Sequence, residues 1–128
     1  MKKDSDYVLL LNNDTTVEKD FLKKMVEAGE DDLEAGILGS KIYFYDRPQR
    51  IWFAGGIIDP FKLKGYHLGL NEEDKGQYEK IDTVDYITGC CLLIKKEVID
   101  KIGFLDEDYF LYYEDADYCW RARKAGFK

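Results

Sequence analysis

The sequence predicts an α/β fold in a single domain covering 1–128, and three stretches predict it. Tyr7 to Leu11 is an unbroken apolar run that stops at the polar turn Asn12-Asn13-Asp14 and leads into a helix-patterned segment. Thr83 to Lys95 returns to apolar residues, broken at Gly89. Glu114 to Ala125 reads as a helix with a Glu-Asp start and Gly126 as its stop.

The elements follow in order. Tyr7 to Leu11 reads as a buried strand. Thr15 with Glu18 has the spacing of a capping box. The helix behind it should turn Phe21, Leu22, Met25 and Val26 to one face and fade in Glu30-Asp31-Asp32. The later part of Gly36 to Tyr45 is β-rich, Arg47-Pro48 interrupts, and Ile51 to Ile58 is β-rich again. Gly55-Gly56 inside that run marks a bulge or a close backbone approach. Asp59 to Lys80, rich in Gly, Lys and Glu, reads as a surface excursion carrying the sole histidine, His67, on the surface. Lys96 to Ile102 is a short helix stopped by Gly103. Phe104 to Tyr113 is irregular and aromatic.

Composition narrows the function classes. With 128 residues and 45% hydrophobic content, the chain can bury one core. A net charge of −7 argues against a nucleic-acid backbone as partner. Three cysteines, two of them adjacent, fit a reducing compartment rather than a disulfide framework. No apolar run approaches the ~20 residues that span a bilayer. A cytoplasmic protein is the default.

Two constellations carry chemistry. A carboxylate at the end of a buried strand can hold Mg²⁺ or Mn²⁺ against phosphates, which makes Asp14 a candidate ligand. The same turn is equally ordinary N-cap chemistry. Six carboxylates fall between Asp106 and Asp117. One of them could serve as general base, while helix-start charge complementarity explains Glu114 and Asp115 without catalysis. Asp117 and Arg121 are spaced for a helical ion pair. Trp52 could stack on a sugar or pack in the core.

The strand-end Asn12-Asn13-Asp14, the string Asp85-Tyr86-Ile87-Thr88-Gly89-Cys90-Cys91, the linker Gly103-Phe104-Leu105-Asp106-Glu107 and the run Tyr112-Tyr113-Glu114-Asp115 through Trp120-Arg121 to Ala125-Gly126 occur in this order. Together they resemble family 2 glycosyltransferases of the GT-A type, in particular rhamnosyltransferase-like members. The resemblance implies a partial GT-A domain, a mixed sheet flanked by helices, running from the metal-motif strand to the acceptor-site helix. It implies that the nucleotide-binding first half lies outside this chain and that the chain is inactive alone. It implies an inverting transfer of a sugar from a nucleotide-diphosphate donor to a glycan or lipid-linked acceptor, with Asp115 as catalytic base and Glu114 its neighbour. Asn12, Asn13 and Asp14 would meet the donor, Asn12 standing where the family's first Asp often stands and Asp14 holding the divalent metal. Gly89, Cys90, Trp120 and Arg121 would meet the acceptor. His67 does not match the family's metal-binding histidine, which follows the acidic helix. The resemblance also implies peripheral association with the inner face of a membrane, and the missing strands imply self-association through an exposed sheet edge. A non-catalytic carbohydrate-binding or assembly module is the alternative, and a glycoside hydrolase with paired carboxylates is a weaker one.

Overall fold

The computed structural model describes residues 5–62, 64–109 and 112–128. Its first sheet has the order β1-β7-β2, with β1 at Tyr7–Leu11, β2 at Ile37–Gly39 and β7 at Cys91–Lys95. β7 runs antiparallel to both neighbours, with Leu9 opposite Leu93 and Leu38 opposite Leu93 on the other side. Every pairing among the described strands is antiparallel, where the sequence suggested a mixed sheet. β1 and β2 do run the same way, joined through helix α1 (Phe21–Asp31), but β7 lies between them.

Strand alternation explains why these runs are apolar throughout. Leu92 and Ile94 of β7 join Val8, Leu10 and Ile37 in one cluster with Val98 and Ile99 of α2 (Lys96–Ile102) and Tyr118, Cys119 and Ala122 of α3 (Glu114–Lys124). Cys91 and Leu93 turn the other way, with Tyr7, Leu9 and Leu38, onto Met25 of α1. Both faces of the sheet are therefore covered, α1 on one and α2 with α3 on the other. Each fully buried aliphatic side chain contributes roughly 1.5–3 kcal/mol. Leu22, expected on the inner face of α1, is 42% exposed. Lys95 is buried at the end of β7, where its ammonium donates to the carbonyl of Asp32 at the C-terminus of α1, at 3.2 Å.

Two further two-stranded ladders are β3 (Ile42–Phe44) with β4 (Arg47–Phe53), and β5 (Gly56–Asp59) with β6 (Lys64–His67). Arg47 and Pro48 do not interrupt the strand; they begin it. Pro48 falls between Arg47 and Ile51, where no β3 residue pairs and a missing N–H is harmless. Asp59 to Lys80, which reads as a surface excursion, holds β6, paired with β5. His67 is not a loop residue: its ring packs edge-on against Trp52 at 5.0 Å and Phe53 at 4.9 Å, and Trp52 itself packs half-buried against the core. Gly55 has φ +126°, and a Cβ on Gly56 would lie 2.2 Å from the Tyr86 ring, so the glycine pair serves close approach.

The expected capping box is absent. α1 begins at Phe21 after Asp20 with no side-chain cap, and the Thr15 hydroxyl instead donates to the carbonyl of Asn12 at 2.7 Å. Gly103 stops α2, its N–H donating to the carbonyl of Ile99 at 2.8 Å. α3 ends in a Schellman arrangement: the N–H of Gly126 (φ +97°) donates to the carbonyl of Arg123 at 3.0 Å and that of Phe127 to Ala122 at 3.1 Å. Phe110 and Leu111, in the stretch expected to be irregular, lie outside the described residues.

Arg121, expected at the acceptor, is spent on holding α3 in place. Its Nε donates to Asp117 at 2.8 Å, Nη1 to the carbonyl of Ile102 at 3.2 Å and Nη2 to that of Phe104 at 3.1 Å. The planar fork suits three divergent acceptors and an ammonium does not. Arg121→Lys should lower the unfolding free energy by about 1–3 kcal/mol, read by denaturant titration. An unchanged midpoint would remove the clamp.

A second tie joins β3 to the 72–79 loop. Lys41 Nζ lies 2.6 Å from Asp74 and 3.0 Å from Glu79, the Tyr43 hydroxyl donates to Asp74, and the Gly76 N–H donates to Asp74 at 2.9 Å. Lys41, then Tyr43, then the Gly76 amide hold the Asp74 carboxyl down at about 2. A carboxyl depressed in the folded state stabilises it above the ordinary value near ~4, and that contribution fades as pH falls toward about 2. In acid titrations followed by circular dichroism, wild type should be more stable than Asp74→Asn above that range, the two converging below about 2.

Candidate active site

Leu11 lies opposite Cys91, so the carboxyl end of β1 meets the amino end of β7. The Asn12-Asn13-Asp14 turn therefore emerges beside Gly89-Cys90. The Asn12 N–H donates to the carbonyl of Cys90 at 3.0 Å. The 88–91 segment closes as a tight turn, the Cys91 N–H donating to the carbonyl of Thr88 at 3.2 Å and the Cys90 N–H to the Thr88 hydroxyl at 3.4 Å. From the other side, the Gly89 N–H donates to Asp115 Oδ2 at 2.9 Å, and Asp115 Oδ1 accepts the N–H of Ala116 at 2.7 Å. Thus the strand-end turn is joined to the 88–91 turn by a backbone hydrogen bond, and that turn to the first turn of α3 through the Asp115 carboxylate.

The electrostatics follow from this packing. Asn12, Asn13 and Asp14 are exposed. Burial raises the Cys90 thiol, with Cys91 and the Asp14 charge adding to it, so Cys90 is a neutral thiol at the edge of the site. Burial raises the Tyr86 phenol, and Asp115 and Tyr113 raise it further. Burial pushes the Cys119 thiol up to about 11, and its sulfur accepts the Ile87 N–H at 3.4 Å. Glu114 is half-buried, and its Oε2 is shielded with no hydrogen-bond partner among the described residues. Such an oxygen needs a donor from elsewhere. Just before it, Tyr112 and Tyr113 both adopt left-handed backbone, φ 68° and 69°, and their side chains are exposed. That conformation is unfavourable for a non-glycine residue.

A Cβ on Gly89 would lie 3.8 Å from Asp115 Oδ2, an ordinary contact. The chain itself does not demand glycine there. Trp120 is five residues beyond Asp115, about 140° round the helix axis. It is 51% exposed, with Lys124 Nζ 4.5 Å from its ring centre. The structure thus joins Asn12, Gly89, Cys90 and Asp115 directly, leaves Trp120 on the outer face and uses Arg121 as a clamp. Tyr86 carries no signal of its own in the sequence. Its ring is placed by the glycines at 56 and 65, which no local pattern around residue 86 reveals.

Among the described residues no three His, Cys, Asp or Glu side chains cluster closely enough to hold a metal. The donor set is one exposed carboxylate, Asp14, beside two amide side chains. That fits a hard cation completing its shell with phosphates and water. A cavity of about 630 Å³ lies elsewhere, between α1, β2, the 80–87 segment and α3, with Met25, Leu38, Ile87 and Ala122 in its wall. No described helix is long and apolar enough to cross a membrane.

Comparison with known proteins identifies the family. The low-salt glycan biosynthesis hexosyltransferase of Haloferax volcanii is 37% identical over 57 residues, 44% of this chain and 19% of the relative. The N-acetylglucosaminyl-diphospho-decaprenol L-rhamnosyltransferase of Mycobacterium tuberculosis is 26% identical over 95% of this chain and 43% of its own length. The rhamnosyltransferase WbbL of Escherichia coli is 25% identical over 98% of this chain and 48% of its own length. The chain spans less than half the length of these curated relatives. Residues 2–103 match the family model described as glycosyl transferase family 2, which ends before α3. The chain belongs to glycosyl transferase family 2.

Proposed function

We propose that this chain forms the metal- and acceptor-side part of an inverting, metal-dependent glycosyltransferase that uses a nucleotide-diphosphate sugar. The reading is supported above all by the hydrogen-bonded path from Asn12 through Cys90 and Gly89 to the Asp115 side chain, which ties a strand-end carboxylate turn to a helix-start carboxylate. A partial GT-A fold and a base pocket built outside these residues belong to the same proposal. The acceptor is a glycan or a lipid-linked glycan, as the decaprenol-linked acceptor in the mycobacterial relative's name suggests.

In this reading the acceptor hydroxyl oxygen bonds to the anomeric carbon while the bond from that carbon to the diphosphate breaks. The hydroxyl proton goes to Asp115 and the nucleoside diphosphate leaves. Two backbone N–H donors orient the Asp115 carboxylate and leave lone pairs on both oxygens for that proton. Glu114, whose Oε2 has no hydrogen-bond partner among the described residues, orients the acceptor or the base beside it. Asp14 would hold Mg²⁺ or Mn²⁺, which supplies positive charge for the departing diphosphate. Cys90 and Gly89 form the floor on which the acceptor rests. Arg121 contributes through the position of α3. Self-association would use the edge of β1 that faces away from β7.

Transfer assays with the full-length protein test the assignment. Asp115→Asn should lower kcat about 10²–10⁴-fold, the range for loss of a general base, with donor affinity retained. Asp14→Asn should raise the Mn²⁺ concentration needed for half-maximal rate by at least about tenfold. Full activity of the Asp115 variant would end its role as base, and an unchanged metal requirement would end that of Asp14.

A further inference from the structure

The β5–β6 hairpin carries the most exposed large apolar side chain among the described residues. Phe61, in the connection between the strands, is 97% exposed. Ile57 pairs with Tyr66 across the ladder, and both are also exposed. The other face is satisfied: Gly56 and Gly65 lie against the Tyr86 ring, and His67 packs into the aromatic cluster. The hairpin is thus anchored on one face and, among the described residues, apolar without a partner on the other.

Its charge differs from that of the rest of the chain. Between Gly56 and His67 the charged residues are Asp59, Lys62 and Lys64, one net positive charge within a chain of −7. Lys62 is solvent-exposed and only loosely paired, 3.8 Å from Asp59. Lys64 Nζ sits 5.4 Å from the centre of the Tyr66 ring. Aromatic side chains next to lysines suit the boundary between lipid headgroups and acyl chains, where rings enter and ammonium groups reach the phosphates. The acidic remainder acts weakly beyond a screening length of roughly 8–10 Å.

We propose that this hairpin is a membrane-contact element. Phe61, Ile57 and Tyr66 enter the interface, and Lys62 and Lys64 engage anionic headgroups. Contact of one hairpin gives reversible binding. Tyr86 packs on the anchored face of the hairpin, and the 88–91 turn of the candidate active site begins two residues after it. The contact does not depend on transfer activity.

Co-sedimentation of the chain with vesicles tests it, without donor or acceptor. Wild type should bind phosphatidylcholine vesicles that contain phosphatidylglycerol, bind pure phosphatidylcholine less, and release with salt. Phe61→Ser should cut the partition coefficient roughly tenfold with an unchanged thermal melt, because the side chain packs on nothing and Asp59 still accepts the N–H of residue 61. Lys62→Gln with Lys64→Gln should erase the preference for anionic vesicles. The proposal is overturned if wild type binds neither vesicle, if it binds both equally, or if Phe61→Ser binds as tightly as wild type. Loss of self-association in Phe61→Ser without vesicle binding would assign the face to a second copy and overturn it too.

Discussion

The short turn at the start of β7 is the constraint on which the rest depends. β7 is buried along its whole length and pairs on both edges, so its position is fixed by the core. The two residues just before it are then tied on one side to the end of β1 through the Cys90 carbonyl, and on the other to α3 through the Gly89 amide. Two carboxylate-bearing segments about a hundred residues apart in sequence are thereby referred to one rigid strand. Functional groups supported in this way need little reorganisation when a ligand arrives.

The same arrangement separates support from chemistry on α3. One side of the helix carries Tyr118, Cys119 and Ala122 into the core, with the Tyr118 hydroxyl donating to the carbonyl of Gly103 at 2.9 Å. Arg121 fastens that helix to the chain just after α2. Asp115 and Glu114 are left at the helix start, preceded by two tyrosines in an unfavourable backbone conformation. Strain of this kind, of order 1–3 kcal/mol per residue, persists only where surrounding contacts hold it. Here the contacts are the buried helix behind it and the Gly89 amide ahead.

Much of this was legible in the sequence. The β7 run, the stop at Gly103, the acidic helix and its glycine end are local signals, each with a local physical cause, and the structure keeps them. The Asn12-Asn13-Asp14 turn was legible as a strand end, but its hydrogen bond to Cys90 was not, because that depends on which strands pair. The failures share one origin. β6 is short and polar, and its Gly65 is there so that Tyr86 can approach, its hydroxyl only 3.1 Å from where a Cβ would stand. His67 read as a loop residue because its aromatic neighbours are Trp52 and Phe53 on another strand. Thr15 read as a cap because local spacing cannot tell a hydroxyl that serves the helix ahead from one that serves the turn behind.

The central claim is that the strand-end turn and the head of α3 share one ligand space across Gly89-Cys90. Backbone amide NMR of the chain with Mn²⁺ and inorganic diphosphate tests it directly, because the paramagnetic ion broadens signals near it. The account predicts selective loss of the Asp14, Gly89, Cys90 and Asp115 amides, with Gly103 and Gly126 unaffected. Broadening confined to another acidic patch, such as Glu30-Asp31-Asp32, or broadening at Asp14 that leaves Gly89 and Asp115 sharp, would contradict it.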